Sequence, residues 1–196
     1  MTEALGCSEV DEKEKLYSQI EEIYGKEIYS RQAQNVAANR TRKCAKRISV
    51  MQIVLTAVSS TGCIGAVLGQ SSVAIIVASI CSALALALNI YSRGAKQAEQ
   101  SSAHVQTAND LWTVEQAFIS LLTDFNDIDV SEIRVRRDEL IENLDVVYRK
   151  APRTKDSDYH KAQKALKHEE AQTFMPGEVD DLLPTGLRKK NQSSHV

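Results

Sequence analysis

The sequence contains one long segment without a charged side chain. Between Arg47 and Arg93 lie 45 consecutive residues with no Asp, Glu, Lys or Arg, and all 50 charged residues fall in the remaining 151. A helix needs about 20 residues to cross a hydrocarbon core of about 30 Å, so the segment is too long for one crossing and fits two. We predict a transmembrane helical hairpin over residues 48–92, with spans at 48–68 and 73–91.

Two other interpretations of this segment are less favoured. A buried helical hairpin inside a soluble protein would need an apolar shell, and the rest of the chain is too polar to wrap two apolar helices of this length. A cleaved signal peptide is not expected either, because the apolar segment begins only after 47 residues that are rich in charge.

The charges around the segment predict its orientation. Basic residues flank both of its ends, whereas the turn between the spans carries no charge. They are Arg40, Arg42, Lys43, Lys46 and Arg47 before the segment and Arg93 and Lys96 after it. Because positive charge stays on the cytoplasmic side, we predict a multi-pass membrane protein with both termini in the cytoplasm.

Outside the uncharged segment the periodicity is helical, so we predict an all-α fold. Residues 12–47 form a cytoplasmic amphipathic helix that continues into the first span. Residues 93–173 form a cytoplasmic helical region with a turn at 126–128, a capping pair of Asp129 and Glu132, a helix end at Pro152 and a short helix over 157–172. Residues 1–11 are predicted to be flexible and residues 174–196 disordered.

An apolar seam with heptad-like spacing runs along the helix that follows the hairpin. Its members are Leu111, Val114, Phe118, Leu121 and Phe125, and Trp112 and Leu122 widen it. These helices bury their apolar faces either on one another or on neighbouring subunits. We predict that the seam promotes a homo-oligomer, because it would otherwise expose a continuous ridge to water.

Polar residues form a stripe along the first span. They are Ser49, Gln52, Thr56, Ser59, Ser60 and Cys63. Polar groups are unfavourable against lipid, so the stripe faces another helix or water. Two interpretations stay open: the stripe holds the hairpin together, or it lines a pore in an oligomer. In the second span, Ala78, Ser82, Ala85 and Asn89 form a small-residue ridge suited to helix–helix contact.

The sequence offers no pattern for catalysis. The four His lack metal-binding spacing, the four Cys form no CxxC pair, and the phosphate-binding and nucleophile motifs are absent. We therefore expect no enzymatic activity, no cofactor and no metal. The net charge of −2 argues against direct nucleic-acid binding. The basic cluster before the first span is a topological anchor or, alternatively, a site for anionic membrane lipid or a nucleotide phosphate.

Three short segments carry a resemblance to a known family. They are Asn39-Arg40-Thr41-Arg42-Lys43 before the hairpin, and Tyr148-Arg149-Lys150-Ala151-Pro152 and Asp158-Tyr159-His160-Lys161-Ala162 after it. With the close-set hairpin, the chain resembles the SLATT proteins, two-transmembrane effectors of bacterial nucleotide-associated conflict and antiviral systems. The resemblance covers roughly residues 12–173.

The resemblance implies a function and a partner. It implies a membrane effector that oligomerises and forms a pore, or disrupts the bacterial inner membrane in which it lies, when a partner protein that generates or senses a nucleotide triggers it. The alternative is a non-conducting membrane adaptor that recruits a cytosolic partner through its helices. A membrane-anchored enzyme is a third and weaker interpretation.

Overall fold

The computed structural model describes residues 2–69, 72–169 and 178. Five helices make up this part of the chain: α1 (Thr2–Gly69), α2 (Ser72–Ala95), α3 (Gln97–Thr123), α4 (Val130–Lys150) and α5 (Asp156–His168). No strand occurs in the described residues, in agreement with the all-α prediction. The tail predicted to be disordered, residues 174–196, lies outside the described residues except for residue 178.

One long helix, α1, is shared by both parts of the fold. Its 68 residues extend over about 100 Å at 1.5 Å per residue, and neither Gly25 nor the basic cluster interrupts it. The predicted continuation of the amphipathic helix into the first apolar span is therefore confirmed. The helix begins at Thr2 and so includes most of residues 1–11, whose predicted flexibility stays a prediction.

Helices α2 and α3 run back along α1 in succession. A hydrogen bond from Gln52 to Ser92 joins the apolar parts of α1 and α2, and the Ser101 hydroxyl at the start of α3 donates to the Ala38 carbonyl oxygen. Lys96 separates the two helices in a left-handed conformation, with φ 42° and ψ 37°. We call residues 48–69 together with α2 the hairpin, and the earlier part of α1 with α3, α4 and α5 the bundle.

Helices α4 and α5 complete the bundle. Helix α4 packs on α3 and α1, and α5 packs along α1 close to the hairpin. Between them, Pro152 ends α4 as predicted, and its carbonyl oxygen accepts a hydrogen bond from the Gln34 side chain at 3.1 Å. The predicted short helix is present but is confined to Asp156–His168.

The capping pair predicted for α4 does not form. The helix begins at Val130 directly after Asp129, but the Asp129 side chain makes no capping hydrogen bond. Ile128 and Val130 pack against the core and set the direction of the chain there, and this leaves the Asp129 side chain exposed. The Lys13 ammonium fixes the preceding turn by donating to the Ile128 carbonyl oxygen at 2.9 Å.

The hydrophobic core lies in the bundle and contains the predicted seam. All five seam residues are buried, and they pack against Leu16 and Ile20 of α1 and Ile133, Leu140 and Leu144 of α4. The seam is filled from within the subunit, because α1 and α4 present apolar faces at matching spacing. It is therefore not a free surface for self-association. Leu122 packs at the edge of this core, whereas Trp112 points outward with 52% of its surface exposed.

Candidate functional site

The two apolar helices of the hairpin pack along an interface whose residues follow a seven-residue repeat. On the α1 side, the positions that are partly covered are Ile48, Gln52, Leu55 and Ser59. On the α2 side, Ala78 is buried and Cys81, Ala85, Leu88 and Ser92 are partly covered. This spacing is that of a left-handed helix pair, in which small and medium side chains interlock over several turns.

One hydrogen bond between side chains crosses this interface in the described residues. The Gln52 amide donates to the Ser92 hydroxyl oxygen at 3.3 Å, and the Ser92 hydroxyl in turn donates to the Asn89 carbonyl oxygen at 3.0 Å. Such a bond in an apolar surrounding is worth about 0.6 kcal/mol. Gln52 thus contributes to holding the hairpin together at its bundle end.

The structure divides the predicted polar stripe into two sets. Gln52 and Ser59 are partly covered by α2, whereas Ser49, Thr56 and Ser60 are exposed on the adjacent flank of α1. The hydroxyls of Thr56 and Ser60 donate to carbonyl oxygens of their own helix, at 2.8 and 2.9 Å, which lowers the cost of leaving them against lipid. The side chain of Cys63 lies outside the described part.

The small-residue ridge of α2 is divided in the same way. Ala78 is buried and Ala85 partly covered in the contact with α1, but Ser82 and Asn89 are exposed. The contact follows a seven-residue repeat, so these two side chains fall on the neighbouring flank of the helix. Each apolar helix therefore carries one polar or small-residue flank that its partner does not cover.

The rest of the hairpin surface is apolar and exposed. One helical stretch in the described residues is long and apolar enough to cross a membrane, and it lies within Ile75–Thr123. Only 6% of its apolar window is buried inside the structure. The core helix of a soluble protein would be mostly buried, so this exposure favours a surrounding of lipid.

At the junction between bundle and hairpin, an ion pair ties α5 to α1. Asp158 is completely buried, and it accepts bidentate hydrogen bonds from Arg40 at 2.9 and 3.0 Å and a further one from the Lys155 backbone amide at 3.1 Å. Burial raises the pKa of Asp158, but these hydrogen bonds and the charge of Arg40 outweigh it and hold the pKa below 3.8. Two of the three segments that carry the family resemblance thus meet here.

A buried polar contact lies beside this ion pair. The His104 ring Nδ1 is 2.5 Å from the Gln34 side-chain oxygen, and the Gln34 amide donates to Pro152. Burial and the nearby Arg40 lower the pKa of His104, with Asp158 opposing them. His104 is therefore neutral at pH 7 and serves as a structural link between α3 and α1.

A groove of about 790 Å³ opens next to the Arg40–Asp158 pair, between α1 and α5. Its walls include five cationic side chains and one acidic one. The cations are Arg40, Lys43 and Arg47 from α1 and Lys161 and Lys164 from α5, and the acid is Glu169. The α1 cations are recognisable in the sequence as a basic cluster, but their meeting with the lysines of α5 is not, because nothing local predicts that α5 packs beside Lys43.

A second charged cluster lies deeper in the bundle. Glu27 of α1 is completely buried, and neither of its carboxylate oxygens has a hydrogen-bond partner among the described residues. Arg31 lies near it and pairs with Glu115 of α3 at 2.6 Å. Burial and the Glu115 charge raise the pKa of Glu27 to about 8, and Arg31 only partly opposes them. Nothing in the spacing of the residues around Glu27 predicts that this acid is buried.

The chain matches a family of known proteins. Residues 16–178 match the family model described as SMODS and SLOG-associating 2TM effector domain family 4. No curated protein and no solved structure matches the chain significantly. The matched range covers the hairpin, the core of the bundle and both partners of the Arg40–Asp158 ion pair.

Proposed function

Because the chain belongs to family 4 of the SMODS and SLOG-associating two-transmembrane effectors, we propose that it is a membrane effector that acts by opening a pore. In this proposal, copies associate in the bacterial inner membrane with both termini in the cytoplasm. A partner protein that generates or senses a nucleotide triggers them, and the pore permeabilises or disrupts the membrane. The chain needs no catalysis for this role.

The observation that carries the proposal is the uncovered polar flank of the first apolar helix. Ser49, Thr56 and Ser60 lie side by side on α1 and are not covered by α2. In a single copy the hydroxyls of Thr56 and Ser60 are satisfied by the helix backbone, which makes the flank tolerable in lipid. When copies assemble around a common axis, the same flank can line a water-filled path without any charged ring.

Because α1 is continuous, a movement of the bundle can be transmitted to the hairpin. The helix passes from the bundle core into the hairpin without a break, so a rotation or shift imposed on the bundle moves the polar flank directly. Helices α2 and α3 lack this continuity, because Lys96 interrupts them at the junction. A partner that binds the bundle can therefore act on the first span through one rigid element.

The bundle offers a surface for self-association in place of the buried seam. Val105, Trp112 and Ile119 recur at seven-residue spacing on the outer side of α3, and all three are exposed. This stripe lies on the helix that follows the hairpin directly, so copies grouped around a pore would bring their stripes together. A second copy of the chain is the occupant that we propose for it.

Replacing the polar flank by leucine is expected to block conduction. Thr56→Leu with Ser60→Leu should reduce dye release from liposomes, and toxicity in expressing cells, by about tenfold or more, because leucine creates a constriction that excludes water. Insertion should be unaffected, since the changes make the span more apolar. The measurement is fluorescence dequenching at matched protein-to-lipid ratios.

The opposite face of the same helix provides the control. Val54 and Val58 are exposed and lie about half a turn away from the polar flank, so Val54→Leu with Val58→Leu should leave dye release unchanged. Equal leakage from both double variants would contradict a pore lined by this flank. It would favour the alternative, a non-conducting adaptor that recruits a cytosolic partner through the bundle.

Removing the indole of the α3 stripe is expected to weaken the oligomer. Trp112→Ser should lower the mass of the detergent-solubilised protein in light scattering, because about half of this large apolar side chain is exposed in the single subunit. Val135→Ser removes a comparably exposed side chain on α4 and should leave the mass unchanged. An unaltered mass for Trp112→Ser would exclude this stripe as the contact.

A further inference from the structure

The groove between α1 and α5 is held in shape by the buried ion pair at its edge. Arg40 lines the groove and is fixed by its bidentate hydrogen bonds to Asp158 in the first turn of α5. The Lys155 amide bonds to the same carboxylate and orders the start of α5. The groove is therefore a built feature of the fold, with two rigid helices as its walls.

The groove holds more positive charge than the described residues neutralise. Arg40 is balanced by Asp158, and Lys164 lies 3.5 Å from Glu169. The remaining three cations, Lys43, Arg47 and Lys161, have no ion pair or hydrogen bond among the described residues. Collecting like charges in one groove is unfavourable unless an anion enters, so the arrangement favours an anionic ligand.

The donors in the groove match one anionic group well. Ammonium groups act as mobile point charges, and a guanidinium presents a planar set of N–H donors, and together they bind phosphate oxygens through charge-assisted hydrogen bonds. Arg47 directly precedes the uncharged segment, so one end of the groove lies level with the headgroups of a membrane around the hairpin. A groove of this volume has room for a phosphate and its ester group.

Topological anchoring alone does not account for the groove. The positive-inside rule concerns the residues that flank the spans, and Lys43 and Arg47 of α1 satisfy it without help. Lys161 and Lys164 belong to a helix that follows two further helices, and the fold brings them back beside α1. Their position is explained by a ligand that needs cations from both walls.

We propose that the groove between α1 and α5 binds a phosphate group, carried by the headgroup of an anionic lipid or by a soluble phosphate ester. Lys43 and Arg47 contact it from α1, and Lys161 and Lys164 contact it from α5. This site goes beyond pore formation: it requires that the hairpin is embedded in a membrane, but not that the protein conducts.

Cys44 provides a built-in probe, because it lines the groove and its side chain is exposed. The full chain is prepared with Cys44 as its sole cysteine, by Cys7→Ser, Cys63→Ser and Cys81→Ser, and is placed in nanodiscs. The rate at which a neutral maleimide labels Cys44 is compared in phosphatidylcholine alone, with phosphatidylglycerol added, and with inorganic pyrophosphate added. Occupancy of the groove should slow labelling by about fivefold or more.

Substitutions of the α5 lysines distinguish phosphate binding in the groove from a general effect of surface charge. Lys161→Gln with Lys164→Gln should abolish the slowing, since each cation near the anion is worth about a fivefold change in affinity. Arg153→Gln with Lys167→Gln removes the same charge from exposed positions outside the groove and should retain the slowing. Hydrogen exchange of α5 checks that both double variants keep this helix docked.

The arms of the experiment separate the two sources of phosphate. Slowing with phosphatidylglycerol alone assigns the groove to a lipid headgroup, and slowing with pyrophosphate in neutral lipid assigns it to a soluble ester. The proposal is overturned if neither addition slows labelling. It is also overturned if the slowing is the same in both double variants, because a surface potential would act on Cys44 without using the groove.

Discussion

Arg40→Met is expected to release α5 from α1. The substitution leaves the completely buried Asp158 carboxylate without its cation, and breaking a buried pair in this way costs about 3 kcal/mol or more. Helix α5 is held mainly by α1, so the loss should appear as local undocking. Amide hydrogen exchange across Asp156–His168 should accelerate by about a hundredfold relative to α4.

The two partners of this ion pair should respond unequally. The Arg40 side chain is 32% exposed, so after Asp158→Asn it can turn to water, and we expect a smaller loss of about 1 kcal/mol. The exposed pair of Arg134 and Glu12, which joins α4 to α1, supplies the control, and Arg134→Met should cost about 0.5 kcal/mol or less. If Arg134→Met accelerated amide hydrogen exchange in α4 as much as Arg40→Met accelerates it in α5, the argument from burial of the ion pair would be contradicted.

The second large effect is the pH dependence of folding stability that we expect from Glu27. The pKa of this carboxyl is raised from 4.5 to about 8 in the folded protein, so the folded state holds a proton that the unfolded chain releases above pH 4.5. Its contribution to stability is present below pH 4.5 and is lost as the pH rises through about 8. The bundle should lose about 3 kcal/mol of stability between pH 5.5 and 8 from this group.

Glu27→Gln should remove most of this dependence, because an amide does not ionise at either pH. The neighbouring charged groups, Arg31 on α1 and Glu115 on α3, are unchanged in this variant. Thermal unfolding followed by circular dichroism at the two pH values gives the comparison. Glu21→Gln, at an exposed position of the same helix, should keep the wild-type dependence. If both variants behave alike, the buried Glu27 is not the source.

The extent of the apolar hairpin could be predicted from the sequence, but the side chains that each of its helices turns toward the other could not. The break between Gly69 and Ser72 follows from the length of the uncharged segment and the turn residues within it. The stripe of polar residues was visible at helical spacing. The split that places Gln52 against α2 and leaves Thr56 exposed depends on the crossing geometry of two helices, which periodicity along one helix does not contain.

By itself, the sequence determined the all-α class, the passage of α1 from the bundle into the hairpin and the end of α4 at Pro152. These features follow from local properties of the chain. They are the length of the apolar segment relative to a bilayer, the absence of helix breakers in α1 and the inability of proline to continue a helix. Tertiary structure decided which surface covers which. The seam that includes Phe118 is buried within the subunit, whereas Trp112 is exposed. An apolar helix face predicts that it will be buried but not which surface will cover it. Tertiary structure also joined Arg40 to Asp158, since pairing at long sequence separation depends on how the helices pack.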